Sequence, residues 1–111
     1  SLTRSMALEL AREQIRVNAI APGYFATEIN ADYWATPGGQ KMMKAIPFER
    51  LGKLEELDGP LLLLASDAGA FMTGTALVAD GGHRGGRGLG GRAVLFVGIV
   101  PDEHLCHRAA V

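Results

Sequence analysis

Ile15-Arg16-Val17-Asn18-Ala19-Ile20-Ala21-Pro22-Gly23-Tyr24-Phe25-Ala26-Thr27-Glu28 begins as a strand, stops at a Pro-Gly turn and leaves that turn carrying a threonine. Ile15, Val17, Ala19 and Ala21 fall on one face at period two, and Ile20 adds apolar character to the other. A strand apolar on both faces suits a parallel sheet covered by helices on each side. Pro22 has no N–H to give a sheet, and Gly23 tolerates the tight exit that a turn requires. Ligands of open α/β sheets bind beyond the carboxyl ends of the strands, where residues 22 to 28 would lie. The stretch therefore predicts both a buried strand and a candidate ligand site.

On either side the periodicity changes. Leu2, Met6 and Leu10 repeat at helical spacing, with Ala7, Leu8 and Ala11 widening the apolar surface, so residues 1–13 are expected to be helical. Leu8 lies off the main stripe, as in a helix covered on two sides. Thr27 to Trp34 could form a short helix capped by Thr27, and Thr36-Pro37-Gly38-Gly39 breaks it. Gln40 to Ala45 is a second short helix, ended by Pro47. Residues 24–50 thus predict a mobile excursion of the kind that serves as a lid, with Tyr33, Trp34, Met42 and Met43 as its apolar contacts. Leu54, Leu57, Leu61 and Leu64 mark the next helix, in which Pro60 is expected to kink the first turns. Thr75 to Asp80 reads as a short strand closed by Gly81-Gly82. The fold class is α/β, with helices layered on a sheet.

Composition limits the possible functions. The 111 residues are 48% hydrophobic and 21% charged with a formal net charge of −1, enough for one modest core and with no global bias towards nucleic acid or anionic membrane. The apolar runs 61–65 and 93–100 are far too short to span a bilayer. No leader-like segment opens the chain, so no secretion signal is expected. Cys106 has no second cysteine to pair with, which fits a reducing cytoplasmic setting.

Residues 84–111 differ in character. Gly86-Arg87-Gly88-Leu89-Gly90-Gly91 fits G-x-G-x-x-G, but the apolar run Ala93 to Val100 that follows reads as a strand. The phosphate-binding motif works only when a helix follows it. Arg84-Gly85-Gly86-Arg87-Gly88 has the make-up of an RNA-binding RGG box, yet it is one short cluster with no aromatic before Phe96. His104, Cys106 and His107 lack the spacing that wraps zinc, so no metal is expected.

Further segments join the opening stretch in a recognisable order. Thr3-Arg4-Ser5-Met6-Ala7-Leu8-Glu9-Leu10 precedes it, and Arg50-Leu51-Gly52, Leu64-Ala65-Ser66-Asp67-Ala68, Thr73-Gly74 and Asp80-Gly81-Gly82 follow. The series resembles the short-chain dehydrogenase/reductase family over residues 1–83. The resemblance implies the C-terminal third of a Rossmann-type, doubly wound parallel sheet, incomplete here, that binds NAD or NADP. It also implies hydride transfer with a small alcohol or carbonyl substrate, and a homotetramer or dimer. By the same resemblance Pro22, Gly23, Phe25 and Thr27 bind the cofactor, with the Thr27 hydroxyl hydrogen-bonded to it and the Phe25 N–H on the carboxamide.

The family's chemistry uses a tyrosine with a lysine four residues on, which lowers the phenol's pKa for proton exchange near neutral pH. Here Tyr24 is followed at that spacing by Glu28, and Tyr33 by Pro37. No catalytic residue is therefore assigned. The catalytic serine and the N-terminal glycine-rich phosphate loop have no counterpart either, so the 111-residue chain is expected to be inactive by itself. Family members usually end near the Asp-Gly-Gly segment, and residues 84–111 are expected to be a frameshifted or read-through tail. The alternative function is a non-catalytic interaction module, or a truncated pseudo-enzyme, docking on a partner chain.

Overall fold

β1 (Ile15–Pro22) is the strand that the rest of the fold covers. In the computed structural model, which describes residues 2–83 and the backbone of 95–101, five consecutive residues of β1, from Arg16 to Ile20, are buried. β2 (Ala76–Ala79) runs parallel to it, with Ala19 opposite Ala76 and Pro22 opposite Ala79. β3 (Leu95–Pro101) lies on the other edge, antiparallel, with a register shift between Val17 and Asn18. The sheet order is β2-β1-β3. The parallel β1–β2 pairing follows the expectation from the sequence, and the strand expected after Ala93 forms as an antiparallel edge. The G-x-G-x-x-G and RGG matches and the His104, Cys106 and His107 group lie outside the described residues.

The apolar core is small and sits on the Ile20 face. Ile20 and Leu64 are almost fully buried, with Leu57, Met72 and Leu77 packed against them. The same face carries two buried polar side chains that period-two reading takes for a weak apolar surface. Arg16 donates from Nη1 to the carbonyls of Leu64 (3.0 Å) and Gly69 (2.8 Å), and from Nη2 to that of Ser66 (3.2 Å). Asn18 donates to the Met72 carbonyl and accepts from the Thr75 N–H. Burial of these groups is tolerable because each meets backbone partners. Together they tie the 64–75 connection to β1.

The first, second and last helices are shorter than their periodicities suggest, while the third takes in Pro37, Gly38 and Gly39, where a break was expected. α1 (Leu2–Leu10) tightens into a single 3-10 turn at Ala11–Glu13 and stops at Gln14, which adopts a left-handed φ of 59°. α2 (Ala31–Trp34) and α3 (Pro37–Ala45) are the two short helices of the 24–50 excursion. Thr36 caps α3: its Oγ1 accepts from the Gly39 N–H, and Pro37 takes the first helical position, where no donor is needed. α2 starts four residues after Thr27, and the Thr27 side chain makes no cap among the described residues. Leu54–Leu57 is 3-10, and α4 (Asp58–Ala65) begins only at Asp58. That change places Pro60 in the first α-helical turn, where its missing N–H costs no intrahelical bond.

Several apolar side chains stay exposed, among them Leu2 and Leu8 of α1, Leu54, and Leu61 and Leu62 of α4. Only Leu57 and Leu64 of the expected leucine stripe join the core. Among the described residues no helix is long and apolar enough to cross a membrane.

Candidate functional site

The carboxyl end of β1 passes directly into the Pro22-Gly23 turn, and Gly23 donates its N–H to the Ala79 carbonyl of β2 at 2.9 Å. A Cβ on Gly23 would lie 2.6 Å from the Asp80 Cβ and 2.7 Å from its Cα. This is a close approach of two backbones, which only glycine permits.

Beyond Gly23 the chain stays extended and lies beside Gly52 in a parallel bridge at Phe25. Gly52 donates to the Tyr24 carbonyl (2.9 Å) and accepts from the Ala26 N–H (3.0 Å). That pattern uses the groups of residues 24 and 26, and turns the Phe25 N–H away from Gly52. The Phe25 ring packs over Gly52, where any side chain would collide with it.

Asn30 closes the turn. Its Oδ1 accepts from the Thr27 N–H at 2.9 Å, and its Nδ2 donates to the Phe25 carbonyl at 3.1 Å. The Thr27 hydroxyl takes no part in this network and has no partner among the described residues. The turn thus presents two groups that have no partner among the described residues, the Phe25 N–H and the Thr27 hydroxyl. Both are suited to a polar ligand at the end of a parallel strand.

Three of the four residues expected on a lid, Tyr33, Trp34 and Met42, come together, but they play different structural parts. Trp34 is 6% exposed and packs edge-on against Tyr24 (5.3 Å) and Tyr33 (5.1 Å). It anchors this segment, held further by the Gln40 side chain, which donates to its carbonyl. Tyr33 is half-exposed and its hydroxyl meets the Met42 sulfur at 2.7 Å. Met43 is half-buried further along α3. His83 completes the aromatic group against Tyr24 at 5.4 Å.

A cleft of about 180 Å³ opens on the Phe25 side, between Phe25, Phe48, Arg50, Glu56 and Asp80. Arg50 and Glu56 face each other with two parallel N–H···O contacts of 2.6 and 2.9 Å. The Arg50 hydrogen bond, with a second from the Lys53 N–H, lowers the Glu56 carboxyl to about 2. Because the folded pKa is depressed, the pair stabilises the fold above the ordinary glutamate range and is lost as pH falls towards 2. Thermal melts between pH 5 and 2 are expected to fall less steeply for Glu56→Gln than for the wild type. Parallel melting curves would show that Glu56 is not held in this way. Among the described residues no cluster of His, Cys, Asp or Glu could hold a metal ion.

Sequence reasoning singled out Pro22, Gly23, Phe25 and Thr27, and missed Asn30, Gly52 and the Arg50–Glu56 pair. The signal for Asn30 was present, since asparagine commonly bonds to nearby backbone in turns.

Comparison with known proteins bears on which fold carries this turn. The family model described as "Enoyl-(Acyl carrier protein) reductase" matches residues 1–84. The short-chain dehydrogenase/reductase VdtF of Byssochlamys spectabilis is 40% identical over 82 residues, covering 74% of this chain and 27% of its own length. The chain belongs to the short-chain dehydrogenase/reductase family. Another relative, an L-rhamnose 1-dehydrogenase (NAD(P)(+)) of Sphingomonas, is 46% identical over 83 residues, again 74% of this chain and 33% of its own. Among solved structures, 4-hydroxyisoleucine dehydrogenase complexed with NADH superposes with a TM-score of 0.71 at 33% identity, over 78% of this chain and 36% of that one. The chain therefore spans about a third of the length of these short-chain dehydrogenases, and β3 lies beyond the family match.

Proposed function

We propose that residues 1–83 are the C-terminal third of an NAD(P)-dependent short-chain oxidoreductase and form one wall of its cofactor cleft. The observation that carries this reading is the pair of unused groups, the Phe25 N–H and the Thr27 hydroxyl, on a turn fixed by Gly23, Gly52 and Asn30. Gly23 lets the turn lie close to the end of β2, and Pro22 ends the strand just before it. Phe25 would bond the nicotinamide carboxamide and Thr27 the cofactor beside it. When bound, the nicotinamide supplies hydride transfer to or from an alcohol or carbonyl carbon.

Residues 1–83 contribute binding and orientation, not the proton-transfer group. Neither Tyr24 nor Tyr33 has a lysine four residues on. In this proposal the tyrosine–lysine pair, the serine and the phosphate loop belong to the other two-thirds of the complete enzyme. Tyr33, Met42 and Met43 cover the substrate, with Trp34 anchoring them. The exposed leucines of α1 and α4 form contacts between copies in a dimer or tetramer, and the enzyme works in the cytoplasm. Residues 84–111 form an atypical tail outside the family domain.

In the complete enzyme Thr27→Ala is expected to raise the cofactor KM about fivefold, the equivalent of one hydrogen bond at about 1 kcal/mol. Steady-state kinetics with the cofactor as varied substrate test this. An unchanged KM would remove Thr27 from the site.

A further inference from the structure

We infer that Asn30 is a positioning residue for the cofactor turn, an inference that rests on the proposed cofactor site. Its carboxamide spans Ala26, accepting from the N–H of Thr27 on one side and donating to the carbonyl of Phe25 on the other. These are the residues whose remaining groups, the Thr27 hydroxyl and the Phe25 N–H, are proposed to bond the cofactor. One planar side chain thereby fixes the backbone at both, before any ligand arrives.

The placement of Asn30 supports a dedicated role. It occupies the N-cap position of α2, where an asparagine would ordinarily accept from an amide of the first helical turn. Here it makes no such cap, and both ends of its carboxamide bond instead to the turn, at Thr27 and Phe25. The start of α2 is left without side-chain capping, while residues 25–27 are held. Only a carboxamide of this length serves both partners. Aspartate keeps the acceptor for Thr27 but presents a second acceptor to the Phe25 carbonyl, and alanine removes both bonds. The amide orientation is decided by its partners, an N–H on one side and a carbonyl on the other.

Releasing the turn makes the cofactor bear the cost of ordering it. In the full-length protein, Asn30→Ala is expected to raise the cofactor KM about tenfold, by more than any fall in kcat. It should also expose the Thr27 amide to hydrogen exchange in the absence of cofactor. Asn30→Asp should retain Thr27 amide protection and give an intermediate KM, a partial rescue that general destabilisation would not produce. Thr27→Ala run alongside separates the two levels of the argument. If Thr27→Ala raises the KM and both Asn30 variants leave it unchanged, the positioning role is overturned and the cofactor site stands. If Thr27→Ala has no effect, the site and this inference fall together. Equal losses in the two Asn30 variants, appearing in kcat and melting temperature without a selective KM effect, would also overturn the role.

Discussion

Arg16→Ala is expected to destabilise the protein by about 3 kcal/mol or more, since each buried acceptor left without a partner costs about 1–3 kcal/mol. Arg16 is 5% exposed, and its guanidinium reaches the carbonyls of Leu64, Ser66 and Gly69, which lie 48 to 53 residues away in sequence. Leu64 and Ser66 are at the carboxyl end of α4, where free carbonyls and the helix dipole both favour a cation. Arg16 thus caps α4 from the neighbouring strand. A domain's whole stability is roughly 5–15 kcal/mol, so this single change removes a large fraction of it. Arg16→Met keeps much of the apolar stem and should lose nearly as much, because the missing donors dominate. Arg16→Lys should fall between, its ammonium lacking the planar fork that meets several carbonyls at once. Urea unfolding of the three variants measures the series. A loss below about 0.5 kcal/mol for Arg16→Ala, the scale of an ordinary surface change, would contradict the cap.

Gly23→Ala is expected to cost about 3 kcal/mol, the upper range for overpacking, because the added methyl would fall on backbone that cannot swing aside. Its nearest neighbours would be the Cβ and Cα of Asp80, at 2.6 and 2.7 Å. Relief requires the ends of β1 and β2 to separate, which strains the Gly23–Ala79 hydrogen bond and displaces Phe25 and Thr27. Gly59→Ala is the matched control. A Cβ there has nothing within 4 Å, and alanine should be neutral or stabilising by about 0.5 kcal/mol through the unfolded chain. Equal melting temperatures for Gly23→Ala and wild type would mean that the strand ends are not closely packed.

Both predictions concern features that the sequence shows unevenly. Period-two spacing from Ile15 to Ala21 and the Pro-Gly stop identify β1 and its turn, because alternation and turn chemistry are local. The roles of Arg16 and Asn18 are not local. Their partners lie across the 64–75 connection, so the pattern alone leaves them as polar interruptions of an apolar strand. The start of α2 is missed for a related reason. Thr27 has the chemistry of a cap, but its N–H is taken by Asn30 and helix begins only at Ala31.

Two short helices in the 24–50 excursion were legible, but the break expected at Thr36–Gly39 is helix start instead: Thr36 is the cap, and Pro37, Gly38 and Gly39 form the first turn of α3. The burial of Trp34 beneath Tyr24 depends on a contact that no periodicity records. β3 illustrates the limit for strands. Its apolar composition marks it as extended, but direction and register depend on the edge of β1 that it meets. At the site, the family's segments pointed to Phe25 and Thr27, while the means of holding them, Gly52 and Asn30, became visible only with the hydrogen bonds.

The central claim is that residues 1–83 supply one wall of a dinucleotide cleft whose phosphate loop lies elsewhere in the complete enzyme. Titration of NADH, followed by its fluorescence, tests this on two samples. One is the 111-residue chain alone, and the other is a hybrid in which residues 1–83 replace the matching third of an active short-chain dehydrogenase. The account predicts no saturable binding by the chain alone, and in the hybrid saturable binding that Thr27→Ala weakens. Micromolar affinity in the isolated chain, or binding by the hybrid that Thr27→Ala leaves unchanged, would contradict it.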